Sequence, residues 1–376
     1  MKIVYLNANY TRSGGTEKIL CQKANYLIEK GYDVSIITLL KATNQPFFSY
    51  DKRIHIYELN MDSENTNKQN IALFINKLDE ALLEIKPDIS IATDMRLGKY
   101  LYRASDSSKK ILESHFSKFK RKNKLSWLNS FSIGHLIVNL FVYKQTQIIK
   151  KFDQYVVLTY EDREQWRNLK QAVTVIPNVV EYQEPINIDY SSKQIIGVGR
   201  LSGQKAWDHL IDIWSKLAKK YPEWQVKVYG DGEKKNELNK LIKAHKIEDS
   251  FTINPATPDI IQKYKESSIF VMTSRYEGLP MVLIEAMSLG LPTVTYKYKC
   301  GPKDYITDQQ TGYLIDLFNK NMFAEVLAKL MDNEEIRCKV GKAAQRDITP
   351  KLNKDRIMNE WISLFETPSH KVCKLK

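Results

Sequence analysis

Cysteine is scarce and scattered. The four residues, Cys21, Cys300, Cys338 and Cys373, show no C-x-x-C spacing, which speaks against a zinc site or a disulfide framework and fits a reducing cytoplasm. Glycine and proline number 15 and 12 in 376 residues, too few for a fibrous or low-complexity chain. No two aspartates are spaced as Asp-x-Asp, and no charged and apolar leader opens the chain; MKIVYLNANY is strand-like, so no signal peptide is expected. The apolar segment around Phe131–Tyr143, free of Lys, Arg, Asp and Glu, is too short to span a bilayer. Acidic residues are outnumbered, 44 against 57 basic, for a net charge of +13.

The basic excess is concentrated. Residues 101–150 hold ten basic residues against two acids, or +8 in one short stretch. Such a local field points to an anionic partner, with nucleic acid and an anionic membrane surface as the main candidates.

Hydrophobic residues make up 43% of the chain, and its length predicts two domains. Apolar runs alternate with helical patterns: IVYLNA, DVSIITLL, DISIAT, KKILESH, QYVVLT and VTVIPNVV in the first half. The reading passes from DVSIITLL straight to a helix at about 68–86, and it places a long helix at about 125–151. Residues 183–192, with a proline and no periodicity, read as a linker. The alternation then restarts with QIIGVGRL, WQVKVYG, FTINPA, SIFVMTS, LPTVTY and GYLID. Continuous apolar strands separated by helices mean parallel sheets covered on both faces. The expected fold is therefore α/β, two doubly wound, Rossmann-like domains, 1–182 and 193–350. Residues 351–376 form a C-terminal helix expected to pack back toward the first domain. Ligands bind at the carboxyl ends of such strands, so the cleft between the two domains is the expected site.

Three loops carry the chemistry. TRSGGTEKIL follows the first strand and opens the first helix. Gly14 and Gly15 would let a ligand approach the backbone, and a helix N-terminus favours an anion. The loop is not G-x-G-x-x-G, which argues against dinucleotide binding, and an ordinary strand–helix turn reads as well. In VGRLSGQKAWDHLI, Arg200 ends a strand and Lys205 opens the next helix. Together they suit a diphosphate, although a solvated surface pair has the same pattern. Gly230 lies in Tyr229–Gly232, a second backbone-close loop. In SRYEGLPMVLIEAMSLGLP, Glu277 lies in the loop after a strand and Glu285 inside the following helix, with backbone N–H groups of 278–282 beside them. Two carboxylates so placed suit a polyhydroxylated ligand; the plainer reading of Glu285 is a half-buried glutamate paired with a lysine.

Taken in order, SGGTEKIL, VGRLSGQK and EGLPMVLIEA, with weaker support from VIPNVV and CGPKDYITDQQTGYLI, resemble glycosyltransferase family 4 over nearly the whole chain. That is the retaining, nucleotide-sugar-dependent group with the GT-B fold. The Glu-x7-Glu match is the most specific. The resemblance implies that Arg200 and Lys205 hold the donor diphosphate and stabilise the leaving nucleotide. It implies that Glu285 binds the ribose, that Glu277, Gly278 and Leu279 contact the sugar, and that Gly14 and Gly15 approach the donor from the first domain. It also matches His115 to a histidine facing the donor sugar; read alone, His115 is an ordinary loop histidine. No cofactor or metal is expected, since the two cations would neutralise what a metal neutralises elsewhere. A UDP-sugar is the favoured donor.

The basic stretch joins Lys118, Lys120, Arg121, Lys122 and Lys124 to an apolar helix. An interfacial helix on an anionic membrane and a core helix with solvated lysines fit equally. The first suits a lipid-linked or other glycan acceptor and a cytoplasmic protein held peripherally on the inner membrane face. The rivals are a GT-B enzyme without transfer, such as a sugar-nucleotide epimerase or a phosphorylase, a non-catalytic homologue, and a nucleic-acid binder, for which no recognition motif is present.

Overall fold

The computed structural model describes residues 1–12, 14–42, 44–61, 68–115, 118, 132–167, 169, 173–180 and 188–368. The chain divides into two compact units, Met1–Val179 with Lys354–Lys376, and Val180–Asn353.

The first unit runs β1 (Lys2–Asn7), α1 (Gly15–Glu29), β2 (Asp33–Leu40), β3 (His55–Met61), α2 (Lys68–Ile85), β4 (Ile89–Ala92), α3 (Met95–Leu101), β5 (Lys109–Glu113), α4 (Ser132–Ile149), β6 (Gln154–Val157), α5 (Tyr160–Glu164) and β7 (Val173–Val175). The second runs β8 (Gln194–Val198), α6 (Trp207–Ser215), β9 (Gln225–Tyr229), α7 (Lys235–His245), β10 (Phe251–Asn254), α8 (Ile260–Lys265), β11 (Ile269–Met272), α9 (Met281–Ser288), β12 (Thr293–Tyr296), α10 (Pro302–Tyr305), β13 (Tyr313–Ile315), α11 (Lys320–Asp332) and α12 (Glu334–Lys351). The last helix, α13 (Lys354–Glu366), belongs to the first unit.

Each unit is built on one parallel sheet. The strand orders are β3-β2-β1-β4-β5-β6-β7 and β10-β9-β8-β11-β12-β13. In both, the first strand of the unit pairs on each side, β1 with β2 and β4, and β8 with β9 and β11. The chain therefore reverses its direction of travel across the sheet at β1 and at β8. Loops leaving neighbouring strands there turn to opposite faces, which opens a crevice at the carboxyl ends. The glycine loop of α1 and the Arg200 loop both leave such strands. Central strands are buried on both faces: Ile269, Phe270, Val271 and Met272 are all 0% exposed.

Helix α6 shows how a face is chosen. Trp207, Leu210, Ile211 and Trp214 recur at helical spacing and are all buried. The indole N–H of Trp207 donates to the Arg200 carbonyl at 3.1 Å, and that of Trp214 to Ser250 Oγ at 3.0 Å. Helix α13 is tied to the first unit at both ends. Tyr26 donates to Asp355 at 2.7 Å, and the buried Lys109 ammonium donates to carbonyls at the helix end, Leu364 and Thr367.

Three details depart from the sequence reading. Strand β3 lies in a stretch where no strand was expected; it is a half-exposed edge strand without an apolar run. The division between units falls at Val179/Val180 and Asn353/Lys354 rather than at 182 and 350. Residues 188–192, expected as linker, are tied into the second unit, because Tyr190 donates to the Gly290 carbonyl at 2.8 Å and its own carbonyl accepts from the buried Arg337 guanidinium. Residues 183–187 lie outside the described residues, as do 125–131 of the expected long helix.

Candidate functional site

In the second unit the loops after β8 and β11 meet. Lys205 Nζ is 2.7 Å from Glu277 Oε1, with side chains 13% and 11% exposed. Glu277 also accepts from Ser274 Oγ and Gln204 Nε2, each at 2.8 Å. The cation expected on a diphosphate and the carboxylate expected on a sugar thus hold each other. Arg200 is exposed, and its guanidinium makes no ion pair among the described residues. The loop after β8 thus carries one cation held in an ion pair and one exposed cation.

The turn that presents Lys205 is unusual. Ala206 is left-handed, φ 50 and ψ 47, just ahead of α6. Thr273 Oγ1, at the end of β11, donates to the carbonyls of Lys205 and Ala206 at 3.0 and 2.9 Å. Gly230, expected near a ligand, also packs closely against protein. A Cβ there would stand 2.1 Å from the Gly199 carbonyl oxygen, so the two glycine loops pack backbone on backbone.

Glu285 lies in α9, half-buried, and its Oε2 accepts from the Tyr264 hydroxyl at 3.4 Å. Tyr264 is fully buried, and burial together with the Glu285 charge pushes its phenol well above the ordinary range. Gly278 and Leu279 lie in the turn before α9, and Pro280 is the residue that caps this helix.

The remaining expected residues are in the first unit. Gly14 is the extended N-cap of α1. A Cβ on it would stand 2.2 Å from Glu17 Oε2, so the space the glycine leaves is taken by this chain's own carboxylate. Over Gly15 the space is open. His115 follows β5, and its Nε2 lies 3.6 Å from Glu113 Oε1. Burial pulls the imidazole below its ordinary value, so it is neutral near pH 7. Sequence reasoning passed over Glu113 and its partner Lys23, 2.7 Å apart and 3% and 2% exposed. The available signal was Lys23 itself, at helical spacing between the apolar Ile19 and Leu27.

Of the basic patch, Lys120, Arg121, Lys122 and Lys124 lie outside the described residues. The Lys118 ammonium turns inward: it donates to the Gln165 carbonyl at 2.6 Å and sits 4.3 Å from the centre of the Trp166 ring. In α4, Leu140 and Tyr143 are 54% and 61% exposed. Among the described residues no helix is long and apolar enough to cross a membrane.

Residues 178–347 match the family of glycosyl transferases group 1. An uncharacterized glycosyltransferase of Haemophilus influenzae is 31% identical over 366 residues, covering 96% of this chain and 98% of that one. This chain belongs to the group 1 glycosyl transferases. The amylovoran biosynthesis glycosyltransferase AmsD of Erwinia amylovora is 29% identical to this glycosyltransferase over 380 residues, covering 96% and 98%. A TarM mutant of S. aureus, crystallised with Fondaparinux, α-GlcNAc-glycerol and UDP, shares the fold at a TM-score of 0.81 and 17% identity, covering 97% of this chain and 100% of that one. The glycosyltransferase thus has the GT-B type of architecture, two parallel-sheet α/β domains, and is related to enzymes of bacterial polysaccharide biosynthesis.

Proposed function

We propose that this glycosyltransferase is a retaining, family 4 enzyme. It moves a sugar from a nucleotide-sugar, with UDP favoured, to a hydroxyl of a glycan or lipid-linked glycan during assembly of a bacterial surface polysaccharide or glycolipid. The observation that carries the reading is Arg200, exposed and without an ion pair among the described residues, in the same loop as the Lys205 of the Lys205–Glu277 pair at the carboxyl edge of the second sheet. An exposed guanidinium can take a diphosphate in bidentate fashion without first giving up a protein partner. The UDP in the TarM structure and the biosynthetic role named for AmsD support it.

In this reading the donor diphosphate enters against Arg200 and draws Lys205 toward itself. Glu277, still held by Ser274 and Gln204, is then free to accept from hydroxyls of the sugar. Glu285, steadied by Tyr264, accepts from the ribose hydroxyls. Gly278 and Leu279 face the sugar, and the family resemblance gives Gly14, Gly15 and His115 of the first unit a role toward the donor. As the bond from the anomeric carbon to the diphosphate breaks, negative charge grows on the phosphate oxygen. Two preset cations stabilise that charge without reorganising, and the reaction needs no metal. The acceptor oxygen bonds to the anomeric carbon on the same face, and its proton passes to the departing phosphate oxygen. The enzyme works in the cytoplasm, peripherally on the inner face of the membrane, where the basic stretch meets anionic lipid.

A thermal-shift screen against UDP, GDP, ADP and their sugar conjugates tests the donor. A ligand at 100 times its dissociation constant adds about 2.7 kcal/mol of stability. Stabilisation by UDP that is lost in Arg200→Ala and in Glu285→Ala supports the reading. No shift with any nucleotide overturns it. Product analysis with and without acceptor separates transfer from epimerisation.

A further inference from the structure

The first unit holds a buried charge cluster that the proposed roles leave unused. Lys23 of α1 and Glu113 at the end of β5 form an ion pair at 2.7 Å, nearly closed to solvent. The Lys23 ammonium also sits 3.6 Å from the centre of the Trp361 ring, in α13, and 5.4 Å from that of Tyr5, in β1. Four elements thus converge on one pair of charges.

Stability does not account for it. Removing two charges from water costs several kcal/mol per ion, and well-packed apolar residues of the same size would hold these elements together as well. What an apolar pair could not do is orient a neighbour. The carboxylate of Glu113 is divided: Oε2 takes Lys23, while Oε1 faces the imidazole of His115 at 3.6 Å. The Lys23 contact fixes the plane of the carboxylate, and the two aromatic faces fix the ammonium.

We propose that Glu113 and Lys23 are positioning residues that hold His115 as the neutral tautomer with its proton on Nε2, leaving Nδ1 as a hydrogen-bond acceptor. A carboxylate facing one ring nitrogen favours the proton on that nitrogen, and the other nitrogen then accepts. The groups around the ring agree. Glu113 and Asp94 favour its positive charge, while Lys23 and burial oppose it, and burial is the largest influence. Burial pushes the Glu113 carboxyl up, yet the Lys23 ammonium, paired and hydrogen-bonded to it, holds it below the ordinary range, so it stays an anion. The Tyr5 hydroxyl, fully buried and without a hydrogen-bond partner among the described residues, stays protonated. A neutral imidazole with a free acceptor suits a sugar hydroxyl as its ligand and does not suit a phosphate. This inference deepens the donor-site reading above and rests on it for the identity of that ligand.

The test uses the full chain with His-selective 15N labelling. NMR of the imidazole nitrogens is expected to report the Nε2–H tautomer for His115, identified by its loss in His115→Gln. Lys23→Met alone strands a buried carboxylate and can fail to fold, so the decisive variant is Lys23→Met with Glu113→Leu, which removes both charges. It is expected to keep its melting temperature and its UDP-induced shift, to show a mixed His115 tautomer, and to lose about tenfold or more in kcat. An unchanged tautomer, or a kcat equal to that of the parent, overturns the proposal. Conversely, a parent protein that shows no UDP shift but a tautomer that changes in the variant would refute the donor reading and leave the positioning intact.

Discussion

Two lysine–glutamate pairs in this chain share one distance and differ in everything around it. Lys23–Glu113 and Lys205–Glu277 both close to 2.7 Å. The first is 2% and 3% exposed and is roofed by Trp361 and Tyr5. The second is 13% and 11% exposed, its carboxylate is shared with Ser274 and Gln204, and Arg200, exposed and without an ion pair among the described residues, stands in the same loop as Lys205. A pair sealed from water cannot exchange partners without leaving a bare charge in a low-dielectric interior, so it can only orient what it touches. A pair at the edge, with spare hydrogen bonds on one side, can open toward a ligand because neither partner is stranded when it does. Distance alone does not separate a positioning device from a binding device; the surroundings do.

The sharpest way to break the comparison is to remove one lysine from each pair. Lys23→Ala leaves Glu113 buried and uncompensated and is expected to cost about 3–5 kcal/mol. Lys205→Ala leaves Glu277 with two other donors and partial solvation, and should cost about 1 kcal/mol. Urea denaturation of both variants checks this. Equal losses would mean that the two pairs do the same work.

The next largest effect falls on activity. Arg200 is exposed, so Arg200→Ala should change stability by no more than about 0.5 kcal/mol. Loss of a preset cation from the leaving group is expected to lower kcat by about 10²–10³-fold. Transferase assays at saturating donor, beside a melting curve, would expose an Arg200 that merely supports the fold. A milder perturbation follows at Glu285. Tyr264→Phe removes the hydroxyl that reaches both the Val282 carbonyl and Glu285. Losing that restraint should weaken UDP binding by about fivefold, near 1 kcal/mol, as read by calorimetric titration.

How much of this could be read from residue order follows from the same contrast. Apolar runs such as SIFVMT and QIIGV mark central strands because both of their faces are covered, and the doubly wound architecture was legible from them. The edge strand His55–Met61 was not, since an edge strand needs no such run. Arg200, Lys205, Glu277 and Glu285 stood out as charges next to glycine turns. That Lys205 and Glu277 touch was not legible, because the contact comes from the β8–β11 pairing and not from either loop. Lys23 was hidden because a lysine in a helix is usually solvated, and only the convergence of α1, β1, β5 and α13 buries this one. Gly230 stood out as a glycine of a backbone-close loop, but that its Cβ position is taken by the Gly199 carbonyl was not legible.

The smallest effect is expected where the open pair is strained. Ala206, just after Lys205, is 0% exposed and left-handed at φ 50. That conformation costs an alanine roughly 1–2 kcal/mol, and glycine escapes the cost. Ala206→Gly also loses a buried methyl, worth about 0.8 kcal/mol, and adds unfolded-state entropy worth about 0.5–1 kcal/mol. The terms nearly cancel, so the variant should stay within about 0.5 kcal/mol of the parent. Ala286→Gly provides the control. It is equally buried but lies within the right-handed helix α9, where nothing offsets the loss, and it should cost about 1.5–2 kcal/mol. The difference between the two substitutions in denaturant measures the strain held beside Lys205. Thr273 binds the carbonyls on both sides of that peptide, so the glycine variant should keep the turn and its affinity for UDP. If affinity fell while stability held, the strain itself would be what aims Lys205.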